Sequence, residues 1–198
     1  MKAINASMRI SVEAQAFRLA ETFTIARGSR DEAQVLMVTI EAGGVKGWGE
    51  CVPYARYGES LESVTAEVSS LPEDITRAAL YDLLAPGAAR NAVDCALWDV
   101  EAKAAGRRVW QLAGLDPPRP VITAFTLSLD SPDKMRAAAD RHAHRPLLKI
   151  KLGGAGDMER LEAVRAGAPA TPIIVDANEG WTADVYAELA PHMLRLGV

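Results

Sequence analysis

Residues 147–154 read LLKIKLGG, a short apolar run that carries two lysines separated by one residue. Residues two positions apart on a β-strand project from the same face of a sheet, so Lys149 and Lys151 share one face of this predicted strand. Burial and a neighbouring like charge both favour the neutral amine, which is the form of a lysine that accepts a proton. The run therefore predicts a strand that presents two lysines to a reactive site. The alternative is a strand at the edge of a sheet, where solvated lysines oppose association with other chains.

Residues 173–181, IIVDANEGW, carry a second polar pattern. Asp176 follows three apolar residues, where a charge is costly unless it is paired or binds a metal ion. A carboxylate at the end of a strand beside the lysine-bearing strand suits a hard cation such as Mg²⁺. Asn178, which strand alternation places on the same face, could support a bound ligand. The alternative is that Asp176 or Asn178 caps the following helix.

The chain from residue 117 onward alternates strand and helix patterns. The predicted strands are VITAFTLSL, LLKIKL and PIIVDAN, and each is followed by a predicted helix: SPDKMRAAADRHAHR, GDMERLEAVRAGA and TADVYAELAPHMLRLG. This βαβαβα order is typical of a parallel α/β architecture. Three such units cannot close a barrel, and an open sheet of three strands would expose its edges. We therefore expect residues 1–198 to be the front part of a longer protein.

The first fifty residues predict antiparallel strands. MRISVEAQAF and QVLMVTIEA alternate apolar and polar residues, and Gly43-Gly44 then turns the chain into VKGWGECV, which predicts a β-hairpin. The polar stretch FTIARGSRDE, residues 23–32, predicts a loop between the first two strands.

Helical patterns follow these strands. They cover residues 59–84, with an interruption at Pro72, and residues 90–106. Strands followed by helices indicate an α+β domain over residues 1–116. The segment GLDPPRP is a linker signal, so a second domain is predicted over residues 117–198.

The composition limits the classes of function. The chain is 49% hydrophobic and 24% charged, with a formal net charge of −4, which predicts a globular protein without an electrostatic hold on nucleic acid or membrane. No segment has the roughly 18 apolar residues that cross a bilayer, and no secretory signal pattern is present, so a cytoplasmic location is expected. Cys51 and Cys95 lie outside any Cys/His cluster, so neither a disulfide framework nor a zinc site is expected. Assembly into a homo-oligomer stays open.

Two pairs of motifs carry a resemblance to a known family. LLKIKLGG followed by IIVDANEGW resembles the muconate lactonizing enzyme subgroup of the enolase superfamily, whose pattern is Lys-x-Lys on the second barrel strand and a metal-binding Asp on the third. GWGECVPYARYGES and RNAVDCALWDVEAKAAG resemble the capping domain of dipeptide epimerases of the L-Ala-D/L-Glu type. The resemblance covers nearly the whole chain. It implies an α+β capping domain followed by the first three βα units of a TIM-type, modified (β/α)8 barrel.

The same resemblance implies roles for individual residues. Lys151 would be the acid/base on one face of the substrate, and Lys149 would contact the substrate carboxylate and hold the charge of the enolate. Asp176 would be the first Mg²⁺ ligand. Thr126, on the first barrel strand, and Arg27, in the first capping loop, would contact the dipeptide substrate. The ordinary alternatives are a strand-forming threonine and a surface arginine.

The second capping loop would contain Tyr54, Arg56 and Tyr57, which either line the pocket or form a packed turn. The implied reaction is abstraction of the proton α to the C-terminal carboxylate of a dipeptide, with Mg²⁺ and a nearby cation stabilising the enolate. Because the sequence supplies one metal ligand and one of two acid/base groups, residues 1–198 alone are expected to be inactive.

Several other functions fit the same residues. Muconate cycloisomerases, o-succinylbenzoate synthases and N-acylamino acid racemases share the subgroup's motifs. A lysine inside a barrel also forms Schiff bases in aldolases, although Lys-x-Lys with a downstream Asp argues against that chemistry. A non-catalytic domain with solvated lysines is the remaining alternative.

Overall fold

The computed structural model describes residues 8–198, which form two compact units. The first contains the described residues up to Phe17 together with Ala33–Arg119, and the second contains Arg18–Glu32 together with Pro120–Val198. The domain limits predicted from the sequence, 1–116 and 117–198, stay a prediction.

Three strands form the first sheet: β1 Met8–Ile25, β2 Gly28–Ala42 and β3 Val45–Cys51, in the order β1-β2-β3. Strands β2 and β3 pair antiparallel, from Leu36 opposite Cys51 to Ala42 opposite Val45. The turn between them has positive φ angles at both glycines, 58° and 77°, which glycine adopts without steric cost. The hairpin predicted at Gly43-Gly44 is therefore confirmed.

The loop predicted for FTIARGSRDE is wrong. Strand β1 continues to Ile25 and β2 begins at Gly28, so only two residues make the turn. The stretch is also packed within the second unit, because the Thr24 N–H donates to the Ser128 hydroxyl oxygen at 2.7 Å and the Leu129 N–H donates to the Thr24 carbonyl at 3.1 Å. Its polar composition hid the strands, since these residues are mostly exposed and need no apolar alternation.

The helices of the first unit follow the predicted order. After a short 3₁₀ helix at Ala55–Tyr57 they are α1 Leu61–Ser69, α2 Arg77–Leu83, α3 Ala88–Ala104 and α4 Val109–Leu112. The predicted interruption at Pro72 lies between α1 and α2. Ser60 begins α1 through a reciprocal capping box with Ser63, which satisfies backbone N–H groups at the helix start.

The packing of α3 on β3 depends on two glycines. A side-chain carbon at Gly49 would lie 1.9 Å from the Ala92 carbonyl oxygen, and one at Gly47 would lie 2.4 Å from the Ala96 carbonyl oxygen. Glycines two positions apart share one strand face, so the sequence KGWGE presents a flat surface to the helix. The helix and strand backbones therefore approach closely enough to exclude any side chain.

The second unit is built on three parallel strands, β4 Phe125–Leu127, β5 Leu148–Lys151 and β6 Ile173–Asp176, in the order β4-β5-β6. The helices that follow them are α5 Pro132–His142, α6 Asp157–Gly167 and α7 Ala183–Arg195. The predicted βαβαβα order is confirmed. Closure of these strands into a barrel stays a prediction.

Strand β4 is shorter than the predicted VITAFTLSL. Only Phe125, Thr126 and Leu127 pair with β5, whereas Val121 and Ile122 are exposed by 82% and 70%. A strand exists only where its backbone finds a partner, so β-forming residues outside the paired register remain irregular. Within residues 8–198, no helix is both long and apolar enough to cross a membrane.

Replacement of Gly49 tests the close packing of α3 on β3. We expect Gly49→Ala to lower the free energy of unfolding by about 3 kcal/mol, because the added methyl group would overlap backbone atoms that cannot move independently. Urea unfolding followed by circular dichroism measures this change. Glu50→Ala, at an exposed position of the same strand, is the control and should change stability little. Equal stability of the two variants would contradict the packing argument.

The two cysteines should differ in reactivity. Burial, followed by the nearby Glu59 carboxylate, raises the pKa of the Cys51 thiol to about 11. Partial burial, followed by Asp94, also raises the pKa of Cys95, but the Cys95 residue is exposed whereas Cys51 is buried. A raised pKa leaves less thiolate at pH 8, and the thiolate is the form that reacts. We therefore expect a short iodoacetamide pulse to label Cys95 before Cys51, as measured by mass spectrometry of tryptic peptides. Faster labelling of Cys51 in the folded protein would overturn this assignment.

Candidate active site

Two lysines and one aspartate form an ion-paired cluster in the second unit. The Nζ atoms of Lys149 and Lys151 each lie 2.8 Å from Oδ2 of Asp176. The Lys151 residue is only 8% exposed, so its ammonium group depends on this partner. We call Lys149, Lys151 and Asp176 the lysine–aspartate cluster.

The register of the parallel sheet produces this cluster. Lys151 is paired with Asp176 on β6, and Lys149 is paired with Thr126 on β4, so all four residues share one face of the sheet. Leu148 and the other apolar residues of β5 point to the opposite face and are fully buried. Strand β5 lies between β4 and β6, so the edge-strand alternative for the two lysines is wrong.

The electrostatics of the cluster keep the aspartate ionised. Ion pairs with Lys149 and then Lys151 hold the pKa of Asp176 well below its usual range, and partial burial opposes this shift. The backbone N–H of Asn178 adds a hydrogen bond of 2.9 Å to Oδ1. Two ammonium groups share one carboxylate, which leaves one positive charge without a balancing partner inside the cluster. Such a site favours an anionic ligand.

Asn178 is brought to the cluster by a turn. Strand β6 ends at Asp176, so the prediction that alternation places Asn178 on the same strand face is wrong. Instead Asn178 and Glu179 have positive φ angles of 49° and 64°, which fold the backbone back toward the carboxylate. The Asn178 side-chain oxygen Oδ1 is buried and accepts no hydrogen bond from the described residues. A buried carbonyl oxygen without a protein partner is costly, so this atom calls for a water, an ion or a ligand.

The helix-capping alternative for these residues is wrong. Helix α7 begins after Thr182, whose hydroxyl oxygen accepts a hydrogen bond from the Val185 N–H at 3.3 Å. Asp176 and Asn178 are therefore available for the cluster.

Arg27 lies at the turn between β1 and β2, in the part of the hairpin that belongs to the second unit. Its Nη1 donates to the Asn178 carbonyl oxygen at 2.7 Å and lies 3.7 Å from the Glu179 carboxylate. The structure therefore brings Arg27 to the loop that follows β6. Its predicted contact with a substrate stays a prediction.

Two residues beside the cluster, Phe23 and Asp157, were not predicted from the sequence. The Lys151 Nζ lies 6.0 Å from the centre of the Phe23 ring, so β1 supplies an apolar wall beside the cluster. The alternation of Phe23 with Ile25 was a strand signal within a stretch interpreted as a loop. Asp157 is the first residue of α6, lies next to the glycines that follow β5, and is 2% exposed. The sequence showed only that it would fall in the first turn of a helix.

The residues fit a metal ion only in part. Among residues 8–198, no group of three or more His, Cys, Asp or Glu side chains is placed to hold a metal ion. Mg²⁺ requires octahedral oxygen coordination, and the cluster offers one carboxylate. Asp176 therefore suits one coordination position, and these residues do not form a complete magnesium site.

The three residues predicted for the second capping loop belong to the first unit. Tyr54, Arg56 and Tyr57 lie in or beside the 3₁₀ helix, and the rings of Tyr54 and Tyr57 are 5.6 Å apart. The two alternatives given for them, lining a pocket or forming a packed turn, both stay open.

Comparison with known proteins shows consistent similarity to one group of enzymes. The chain is 44% identical over 195 residues to an L-Ala-D/L-Glu epimerase of Escherichia coli, covering 96% of this chain and 61% of that protein. An enolase family member from Agrobacterium tumefaciens with homology to dipeptide epimerases, solved with sodium and L-Ala-L-Glu, matches with 47% identity and a TM-score of 0.92. That match covers 96% of this chain and 60% of the other.

A third match contains magnesium. A dipeptide epimerase from Enterococcus faecalis, in complex with Mg and the dipeptide L-Leu-L-Tyr, is 29% identical with a TM-score of 0.78. It aligns with 92% of this chain and 58% of its own. The chain thus spans about three fifths of the length of the proteins it matches.

The family assignment rests on the first half of the chain. Residues 7–114 match the N-terminal domain of the mandelate racemase / muconate lactonizing enzyme family. With the similarity to the epimerases, this match shows that the chain belongs to the mandelate racemase / muconate lactonizing enzyme family of the enolase superfamily.

Proposed function

We propose that the protein containing this chain is a dipeptide epimerase of the L-Ala-D/L-Glu type. It removes and returns the proton on the α-carbon of the C-terminal residue. The observation that carries this proposal is the convergence of Lys149 and Lys151 on Asp176 on one face of a parallel sheet. Similarity to epimerases over 96% of the chain supports the substrate class.

Lys151 is the proposed acid/base. It is the last residue of β5, and the carboxyl ends of parallel strands are where α/β enzymes place reacting groups. It is also the more buried of the two lysines, since the side-chain exposures are 9% for Lys151 and 32% for Lys149. In the complex, the neutral amine of Lys151 would take the α-proton from one diastereomer. In the reverse direction, its ammonium form would deliver a proton to the same face of the enolate.

Lys149 is the proposed charge stabiliser. A proton α to a carboxylate is a very weak acid, so a base alone leaves most of the barrier in place, and the enolate oxygens need preorganised positive charge. Lys149 places its ammonium group on the same face of the sheet as Lys151, two residues before the proposed base. Thr126, its register partner on β4, would add a hydroxyl group for substrate binding.

Asp176 is the proposed Mg²⁺ ligand. When bound, the cation would supply Lewis-acid stabilisation of the substrate carboxylate. One carboxylate does not satisfy an octahedral ion, so the remaining ligands would come from outside residues 8–198. Asn178, with its buried side-chain oxygen, would support the ligand set or the substrate, and Arg27 would bind the dipeptide from the hairpin turn.

Epimerisation also requires a group on the opposite face of the α-carbon. Removal and return of the proton by one base on one face restores the original configuration, so inversion needs a second acid. The described residues, 8–198, offer one face of this pair. We propose that residues 1–198 alone do not turn over.

Isotope exchange tests the proposed reaction. We expect the complete gene product with Mg²⁺ and L-Ala-L-Glu in D₂O to place deuterium on the glutamate α-carbon and to form L-Ala-D-Glu, as followed by ¹H NMR. Addition of EDTA should abolish both signals, since the enolate would lose its cation. Exchange on N-acylamino acids but on no dipeptide would replace the epimerase proposal with a racemase of the same family, and no exchange on either would reject both.

Replacement of Lys151 tests the identity of the base. Lys151→Ala should slow α-proton exchange from the diastereomer whose proton faces Lys151 by about 100-fold or more, because a positioned acid/base contributes that much to proton transfer. Lys134→Ala removes an exposed lysine from α5 and should leave exchange unchanged. Near-normal exchange of both L-Ala-L-Glu and L-Ala-D-Glu in folded Lys151→Ala would remove Lys151 from the mechanism.

A further inference from the structure

Asp157 carries a buried carboxylate that the proposed reaction does not use. It is 2% exposed, and its oxygens accept hydrogen bonds from Gly153 N–H at 3.0 Å, Gly154 N–H at 2.7 Å and Trp181 Nε1–H at 2.7 Å. The Arg160 guanidinium adds a fourth contact at 3.0 Å. A buried carboxylate is costly unless such donors satisfy it, so the four contacts define its position closely.

Three of the four donors come from the two loops that follow the strands of the lysine–aspartate cluster, and Arg160 belongs to α6 itself. Gly153 and Gly154 are two and three residues beyond Lys151, and Trp181 is five residues beyond Asp176. One carboxylate therefore joins the end of β5 to the loop after β6.

The two loops also touch each other through their backbones. A side-chain carbon at Gly180 would lie 3.0 Å from the Gly153 carbonyl oxygen, and the Leu152 N–H donates to the Asp176 carbonyl at 3.1 Å. The space for independent movement of either loop is small.

The hairpin turn rests on the same loop. A side-chain carbon at Gly153 would lie 3.1 Å from both the Ala26 methyl group and the Leu129 side chain. The turn that contains Arg27 and the end of the strand that contains Lys151 therefore both pack against Gly153. Asp157 fixes the position of Gly153 through its hydrogen bonds to the Gly153 and Gly154 N–H groups.

We infer that Asp157 is a positioning residue that sets the place of Lys151 against the substrate α-carbon. This inference rests on the proposed function. Displacement of the Gly153 backbone reaches Lys151 through a single intervening residue, whereas Asp176 is also held by the ion pair with Lys149 and by the Asn178 N–H. Loss of the Asp157 hydrogen bonds therefore disturbs the base more than the metal ligand. A displacement of about 1 Å in a reacting group can cost on the order of 100-fold in rate.

The test measures each face of the substrate separately. In D₂O, initial α-deuterium incorporation is recorded from L-Ala-L-Glu and from L-Ala-D-Glu, because each diastereomer presents its proton to a different face. Lys151→Ala identifies the diastereomer that depends on Lys151. We expect Asp157→Asn, which keeps size but replaces one acceptor oxygen with a donor, to slow exchange of that diastereomer about 10-fold or more. The other diastereomer should lose much less.

Two further variants make the comparison specific. Trp181→Phe removes the indole N–H donor while keeping an aromatic ring in the core packing, and it should give a smaller loss with the same preference between diastereomers. Asp133→Asn changes an exposed aspartate in the first turn of α5 and should have no effect. Equal loss from both diastereomers in Asp157→Asn, or a loss explained by the unfolded fraction in circular dichroism, would overturn the inference.

A readout without activity separates this inference from the proposed function. Hydrogen–deuterium exchange followed by mass spectrometry should show faster amide exchange around Gly153 and Gly154 in Asp157→Asn, with the β5 amides changed less. Unchanged protection of these amides would overturn the positioning role. A wild-type protein that exchanges no substrate proton would instead reject the proposed function, and amide exchange would still decide whether Asp157 holds the loop.

Discussion

The second unit depends on the sharing of one carboxylate by two ammonium groups. Lys149 and Lys151 face the same way because they are two residues apart on a strand, and Asp176 meets them because β6 pairs with β5 in a register that places it opposite Lys151. A shift of that register by one residue would turn Asp176 to the other face, where β5 buries its apolar side chains, and would leave two lysines without a counter-ion.

The strand ends around the cluster are held by a backbone turn and by hydrogen bonds to main-chain N–H groups. Asn178 and Glu179 adopt positive φ angles, a conformation that costs energy for residues other than glycine and is concentrated at functional sites. That turn aims one N–H at Asp176 and one carbonyl at Arg27. The glycine-rich end of β5 is held in turn by Asp157. The reacting side chains thus project from strand ends and loops whose conformation is set mainly by hydrogen bonds to the main chain.

Much of this architecture was readable from the sequence, and the failures have identifiable causes. The strand and helix order of the second unit, the Gly43-Gly44 hairpin and the shared face of the two lysines were predicted correctly. The FTIARGSRDE stretch was not, because a strand that is mostly exposed carries little of the apolar alternation on which prediction depends, here only Phe23 and Ile25. Strand β4 was predicted too long because β-propensity does not say where a partner strand ends.

The sequence by itself determined which side chains share a face, since the two-residue period of a strand follows from covalent geometry. It also determined where glycine permits tight turns and close backbone approach, as at Gly43 and Gly49. Only the tertiary structure decided which partners those side chains meet. Three contacts join residues that are 24 to 151 positions apart in the chain. They are the ion pair of Lys151 with Asp176, the hydrogen bond from Trp181 to Asp157 and the hydrogen bond from Arg27 to Asn178. No local pattern encodes such contacts, because they exist only once the strands have packed in register.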